Sequence, residues 1–316
     1  MRIGIIGPGD VAQLHVPALR AAGANVVAVA AASENAAGEF ARQWNIPHAV
    51  GDVARLADAE LDAVVVSTPS PLHAAHTIAA IGAGLHVLCE IPLATSLKDA
   101  QEVVDTAKVK GAHVMVAQTL RYCAPFAELR RLVAEGDIVI EHIVSRRLLL
   151  RQRDEGWSGV ARDWSDSVLW HHAGHQLDLL LWLLNISPEE APAAVTGRLG
   201  RRWPKTGNAM DLSISVRAPD GRLATLALSY HSRVSAEDCI VITPDETFTI
   251  VDGSLLRNGD PVLVSGSDDE MKKRAIDAQD AEFVRAVVDG RQPQPAARDL
   301  LGLAKALSDI ETRSQT

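Results

Sequence analysis

The feature that most constrains the fold is Gly7-Pro8-Gly9-Asp10-Val11-Ala12, which follows the apolar run Arg2-Ile3-Gly4-Ile5-Ile6 directly and opens a stretch, residues 11–22, with apolar side chains at helical spacing. It reads G-x-G-x-x-A between a strand and a helix. In that context the first glycine makes a tight turn, the second lets a pyrophosphate approach the backbone, and the last small residue lets helix and strand pack closely. The phosphates would meet N–H groups at a helix N-terminus, where the dipole favours negative charge. Gly7, Gly9, Asp10 and Val11 are therefore expected to bind a dinucleotide.

The alternation continues. Apolar runs at 26–30, 63–67, 85–89 and 113–117 alternate with helical patterns at 34–44, after Pro71, and at 97–110. Strands buried on both faces between helices imply a parallel sheet. Past residue 120 the rhythm changes: a helix at 125–135, a strand-like run at 138–150, an irregular Arg/Gly/Trp-rich loop, then a helix at 168–184. Five β-type segments follow (194–199, 211–217, 223–231, 239–243, 247–251), separated by turn formers such as Pro219-Asp220-Gly221, and two helices close the chain at 277–289 and 298–312. The expected fold is α/β. A Rossmann dinucleotide-binding domain takes residues 1–120, and an α+β domain with an open, mostly antiparallel sheet takes 121–316, a length sufficient for two cores.

Composition removes several function classes. A net charge of -9 argues against nucleic acid, which needs a clustered basic surface. The three cysteines, Cys89, Cys123 and Cys239, form no C-x-x-C pair, so neither a disulfide framework nor a thiolate metal site is expected. No apolar run approaches the roughly 18 residues of a membrane span. A cytoplasmic protein is expected, without membrane, nucleic-acid or metal partners.

Two segments carry chemistry. The end of the second strand reads Ala31-Ala32-Ser33-Glu34. An acid here would read a ribose 2′-hydroxyl and a base a 2′-phosphate. Ser33 is taken as a cofactor contact, and NAD and NADP both stay open. The second segment is Trp170-His171-His172-Ala173-Gly174-His175-Gln176-Leu177-Asp178 on an apolar helix. On an α-helix His171 and His175 share one face, with Asp178 three residues further along it. An imidazole near its unperturbed pKa of about 6.5 suits proton removal from a hydroxyl that also loses hydride. His175 is assigned as the base and His171 as relay, orienter or donor, with the closer of the two left open. The i, i+4 histidines resemble half of H-E-x-x-H, but His172 stands where a zinc hydrolase needs glutamate. Trp170 and Trp182 are expected to pack.

Ser67-Thr68-Pro69-Ser70-Pro71-Leu72-His73, Gly84-Leu85-His86-Val87-Leu88-Cys89-Glu90-Ile91-Pro92-Leu93-Ala94 and the histidine helix together resemble the glucose-fructose oxidoreductase/inositol dehydrogenase family along nearly the whole chain. The resemblance implies a Thr68-Pro69 loop over the cofactor, Glu90 on the nicotinamide ribose, a helix-borne histidine that takes the substrate proton, and an open sheet that assembles a homodimer or homotetramer. His73 and Ile91 fall in the same cofactor set, His73 with a structural part as for His76. Two positions depart from the family pattern: Ile91 replaces the lysine of Glu-Lys-Pro, and His171 replaces an aspartate four residues before the catalytic histidine. The paired loss keeps the charge balance. The branch with Glu-Ile-Pro and the double-histidine helix implies oxidation of the cyclic hemiacetal of an aromatic ring-cleavage product to 2-pyrone-4,6-dicarboxylate. Such a carboxylated substrate needs cations, and arginine forks match carboxylates. Arg121, Arg151, Arg153 and Arg162 are candidates. The expected substrate contacts are Arg121, Arg162, Trp164, His172 and Asp178. A sugar or inositol dehydrogenase and a non-catalytic NAD(P)-binding sensor are the alternatives.

Overall fold

The computed structural model describes residues 1–151, 167–186 and 194–314. The chain forms two compact units: Met1–Gln118 with Ile276–Leu301 in one, and the remaining described residues from Thr119 in the other.

The first unit is built on strands β1 (Arg2–Ile6), β2 (Asn25–Ala30), β3 (His48–Val50), β4 (Ala63–Val66), β5 (His86–Cys89) and β6 (Val114–Val116). They lie in the order β3-β2-β1-β4-β5-β6, every neighbouring pair parallel. Ile3, Ile5, Val64, Val65, Val87 and Leu88 are fully buried, as strands covered on both faces require. Helices α1 (Ala12–Ala21), α2 (Glu34–Trp44), α3 (His73–Gly82) and α4 (Leu97–Lys110) connect them. Helices α2 and α4 start where Ser33 and Ser96 accept the Ala36 and Asp99 N–H at 3.2 and 3.1 Å, and they stop at Asn45 and Gly111 with positive φ. The strand order reverses between β1 and β4, so the ligand crevice of such a sheet opens at their carboxyl ends. Strand β3 goes unannounced in the sequence, because His48–Val50 is an edge strand that stays largely exposed and so carries no apolar run.

The second unit holds α5 (Ala124–Glu135), β7 (His142–Leu150), α6 (Gly174–Leu183) and β8 (Ala194–Leu199). The strands β9 (Asp211–Arg217), β10 (Leu223–Ser229), β11 (His231–Ile242), β12 (Thr247–Val251), β13 (Ser254–Arg257) and β14 (Asp260–Val264) follow. The sheet runs β14-β13-β12-β11-β7-β10-β9-β8, antiparallel throughout except for the parallel pair β7–β10. Leu177, Leu179, Leu180 and Leu183 of α6 are fully buried.

Helix α7 (Asp268–Val288) starts earlier than the apolar period suggests. Its start is set by polar chemistry: Ser267 Oγ accepts the Glu270 N–H, Glu270 Oε2 accepts the Ser267 N–H at 3.0 Å, and Asp268 and Asp269 join Glu270 in the first turn. From Ile276 onward it belongs to the first unit; α8 (Leu301–Arg313) lies in the second but for its first residue. Among the described residues no helix is long and apolar enough to cross a membrane.

Candidate active site

Three turns meet at the carboxyl ends of β1, β4 and β5. The Gly7 N–H donates to Ala30 O at 2.9 Å, Ser67 N–H to Ile6 O at 2.8 Å and Glu90 N–H to Val66 O at 2.9 Å, so successive strands release Gly7, Ser67 and Glu90 side by side. Gly7 has φ +95°, and a Cβ there would lie 2.7 Å from both Thr68 Cγ2 and the Thr68 nitrogen. No side chain fits, because the 67–68 backbone packs directly on Gly7, whereas a Cβ at Gly9 would meet only Ser67 O at 3.8 Å, so the turn is open there. Val11, at the N-cap of α1, gives no side-chain acceptor to the helix start. A pyrophosphate acceptor suits this arrangement. Ser33 is engaged as the α2 cap.

His73 is buried and ties two loops together: Nδ1 lies 2.7 Å from Pro92 O and Nε2 2.6 Å from Thr68 O. Thr68 Oγ1 lies 3.1 Å from His76 Nδ1. The loop carrying Thr68 and Pro69 is thereby fixed against the one carrying Glu90 and Ile91.

Glu90 has a partner that sequence reasoning missed. Its Oε1 lies 3.0 Å from His15 Nε2, and its Oε2 accepts the Ile91 N–H at 3.2 Å. On the other side of the ring, His15 Nδ1 lies 2.8 Å from Asp280 Oδ2. Burial opposes charging this ring, but Asp280 and Glu90 outweigh it and raise its pKa to about 10. Burial also pushes Glu90 upward, and the His15 hydrogen bond and charge, the His73 charge and the Ile91 N–H overcome it and hold the carboxyl below its ordinary value. At Asp280 burial wins and the pKa is raised. The available signal was a histidine on the core face of α1 between Ala12 and Leu19, where an apolar residue is expected.

In the second unit the histidine segment departs from the expected continuous α-helix. Residues Leu169–Ala173 form a π turn, with the Ala173 N–H on Val168 O at 2.9 Å, and α6 begins at Gly174. The i to i+5 bonding widens the turn, so the three imidazoles are not spaced as on a regular helix. Between Val168 and Leu180 only His171, His172 and His175 keep partial exposure. His171 packs edge-on against His172 at 4.6 Å, and His172 against Tyr230 at 5.4 Å. His172 Nδ1 is hydrogen-bonded to the Tyr230 hydroxyl, and Arg151 lies 5.8 Å from the Tyr230 ring centre. Burial, then the charges of His171, Arg151, Arg147 and His175, pushes His172 well below the ordinary histidine pKa, so this ring stays neutral. Tyr230 and Arg147 carried no recognisable motif. Trp170 packs as expected, buried, with its indole N–H on Glu311 at 3.2 Å.

Two of the residues expected to contact substrate, Arg121 and Asp178, are paired with each other. Arg121 Nε and Nη2 donate to Asp178 Oδ2 and Oδ1 at 2.8 and 2.6 Å, and the guanidinium lies 5.5 Å from the Trp182 ring centre. Trp182 therefore packs on a cation. Arg153, Arg162 and Trp164 lie outside the described residues.

A βαβ sheet with a glycine turn at its switch point, in a chain with a cluster of imidazoles, is what a nicotinamide-dependent oxidoreductase presents. Residues 1–118 match the family described as "Oxidoreductase family, NAD-binding Rossmann fold", and residues 126–250 match "Bacterial oxidoreductases, C-terminal". The chain is 30% identical over 317 residues to 4-carboxy-2-hydroxymuconate-6-semialdehyde dehydrogenase of a Sphingobium species, covering 99% of this chain and 98% of that one. It is 28% identical to inositol 2-dehydrogenase 3 of Saccharopolyspora erythraea, over 95% of this chain and 88% of that one. Among solved structures, levoglucosan dehydrogenase in complex with NADH matches with TM-score 0.86 at 18% identity, covering 100% of this chain and 97% of the other. The protein belongs to the glucose-fructose oxidoreductase/inositol dehydrogenase family. It is an oxidoreductase, and its first unit is an NAD-binding Rossmann fold.

Proposed function

We propose that the protein oxidises the cyclic hemiacetal of 4-carboxy-2-hydroxymuconate semialdehyde to 2-pyrone-4,6-dicarboxylate. The observation that carries this reading is the partly exposed row His171, His172 and His175 with Arg147 and Arg151 in its field. A proton acceptor and a carboxylate-binding cation are what a carboxylated hemiacetal requires; Arg147 is ion-paired with Glu237, which leaves Arg151 as the cation of this reading. The relative from Sphingobium, whose name carries this substrate, supports it at 30% identity.

Bound NAD or NADP would supply the acceptor for the hydride of the carbon that bears the hydroxyl. Gly7, Gly9, Asp10 and Val11 would hold the pyrophosphate, Ser33 would meet the adenosine end, and Thr68, Pro69, Ile91 and Glu90 would hold the nicotinamide end, Glu90 by accepting from a ribose hydroxyl. His73 keeps those loops in register. His175 accepts the proton of the hemiacetal hydroxyl as the C–H bond breaks, so the carbon ends as a lactone carbonyl. His171, against the neutral His172–Tyr230 pair, orients the substrate oxygen, and Arg151 binds a carboxylate. Arg121 and Asp178 act by holding the histidine helix in place, and Arg162 and Trp164 remain substrate contacts in this reading.

The edge strand β14 of the second sheet exposes Val262 and Val264 at 51% and 69%, which supports a homodimer or homotetramer; light scattering tests it. Three buried, unpaired cysteines suit the cytoplasm. To test the activity, the protein is incubated with NAD and, separately, NADP, with the semialdehyde or with myo-inositol. Reduced cofactor and the pyrone dicarboxylate are expected from the semialdehyde. Turnover of inositol alone would overturn the substrate, and cofactor binding without turnover of either would favour the sensor.

A further inference from the structure

The His15 cluster is larger than a packing role needs. The ring is fully buried on the face of α1 that otherwise presents Ala12, Val16, Ala18 and Leu19 to the core. Each nitrogen ends on a carboxylate, Asp280 at 2.8 Å and Glu90 at 3.0 Å, from positions 265 and 75 residues away. Taking ions out of water is unfavourable, and an apolar residue on this helix face would avoid it. The three groups differ in one respect. The His15 and Asp280 side chains are 0% exposed, whereas that of Glu90 is 13% exposed, so the cluster reaches solvent through Glu90.

The groups that face the ring settle what it does. From α7 come Asp280 and its neighbour Gln279, which donates to Asp280 Oδ1 at 3.2 Å; after β5 comes Glu90; and His73 of α3 acts on Glu90. Two carboxylates on the two nitrogens are both satisfied when the ring carries both N–H protons. A carboxylate has about four lone-pair sites. One site on Glu90 is taken by His15 and one by the Ile91 N–H, which fixes the plane of the carboxylate and leaves its remaining sites for an outside donor.

We propose that His15, backed by Asp280, is a positioning residue of the NAD site: as a permanently protonated imidazolium it holds Glu90 ionised and oriented to accept from a cofactor hydroxyl. This rests on the reading of Glu90 as a cofactor contact. The raised His15 pKa, about 10, agrees with the geometry.

The test uses the full-length protein in two measurements. In the first, ¹⁵N NMR of the unloaded protein reads the His15 ring. Both nitrogens are expected to stay protonated at pH 8, and a neutral ring would overturn the proposal without any variant being made. In the second, calorimetry reads NAD affinity for Glu90→Gln, His15→Gln, Asp280→Asn and the Glu90→Gln/His15→Gln double variant. Losing a charge-assisted hydrogen bond weakens binding by about tenfold or more. Glu90→Gln and His15→Gln are each expected to lose about that much, Asp280→Asn less, and the double variant no more than Glu90→Gln alone. Additive losses in the double variant, or full affinity in both His15→Gln and Asp280→Asn beside a weakened Glu90→Gln, would overturn the proposal. Full affinity in Glu90→Gln would instead remove the reading of Glu90 on which it rests. If His15→Gln fails to fold, Asp280→Asn and the NMR measurement still decide.

Discussion

Arg121 and Asp178 allow a quantitative prediction. Their contact is bidentate at 2.8 and 2.6 Å, with Asp178 3% exposed and Arg121 16%. Removing one member of a buried pair costs about 3–5 kcal/mol, because the other charge is stranded out of water. Arg121→Met strands the more deeply buried carboxylate and belongs at the upper end. Asp178→Ala strands a guanidinium that keeps some solvent and the Trp182 ring at 5.5 Å, and belongs near about 3 kcal/mol. Arg121→Met/Asp178→Leu leaves no charge behind and should lie within about 1–2 kcal/mol of the parent, since apolar replacement of a buried pair is often close to neutral. Urea unfolding followed by tryptophan fluorescence reads the series, Trp182 being the local reporter. In thermal melts about 3 kcal/mol corresponds to roughly 6–12 °C for a domain of this size. Two results would refute the reasoning. A double variant that loses the sum of the single losses would show an uncoupled pair. Unchanged stability in Arg121→Met with a tenfold rise in substrate KM would return Arg121 to the substrate.

Replacing the assigned base, His175→Asn, should lower the oxidation rate by about 10²- to 10⁴-fold while calorimetry shows NAD affinity unchanged; an unchanged rate would move the base to His171. Gly7→Ala puts a methyl carbon 2.7 Å from Thr68 at φ +95°, so NAD binding should fall below detection by calorimetry while circular dichroism still reports a folded chain. Stability should depend on pH through His15: a pKa raised in the folded state from 6.5 to about 10 contributes stability that is full below about 6.5 and lost as pH rises toward about 10. His15→Gln should flatten the unfolding midpoint over that window, and an equally steep profile in the variant would assign the dependence elsewhere.

Much of the first unit was legible locally. The strands β1, β2, β4, β5 and β6 declare themselves as short apolar runs, and the glycine turn between β1 and α1 carries its own chemistry. The histidine segment was visible as a cluster, but its π turn was not, because i to i+5 bonding leaves no residue signature distinct from an α-helix. β13 and β14 were signalled only by their turns, Asp252-Gly253 and Asn258-Gly259: Ser254–Arg257 spans four residues and Pro261 interrupts Asp260–Val264, so pairing with β12 decides them.

By itself the sequence determined most strands and helices of the first unit, the glycine turn between β1 and α1, and that imidazoles are available, since periodicity, turns and motifs are properties of neighbouring residues. Tertiary structure alone decided partners: Asp280 reaches His15 across 265 residues because Ile276–Leu301 joins the first unit, and Arg121 spends its fork on Asp178. A charge declares its sign in sequence, but its partner and its exposure to water depend on packing, and these set both its pKa and its use.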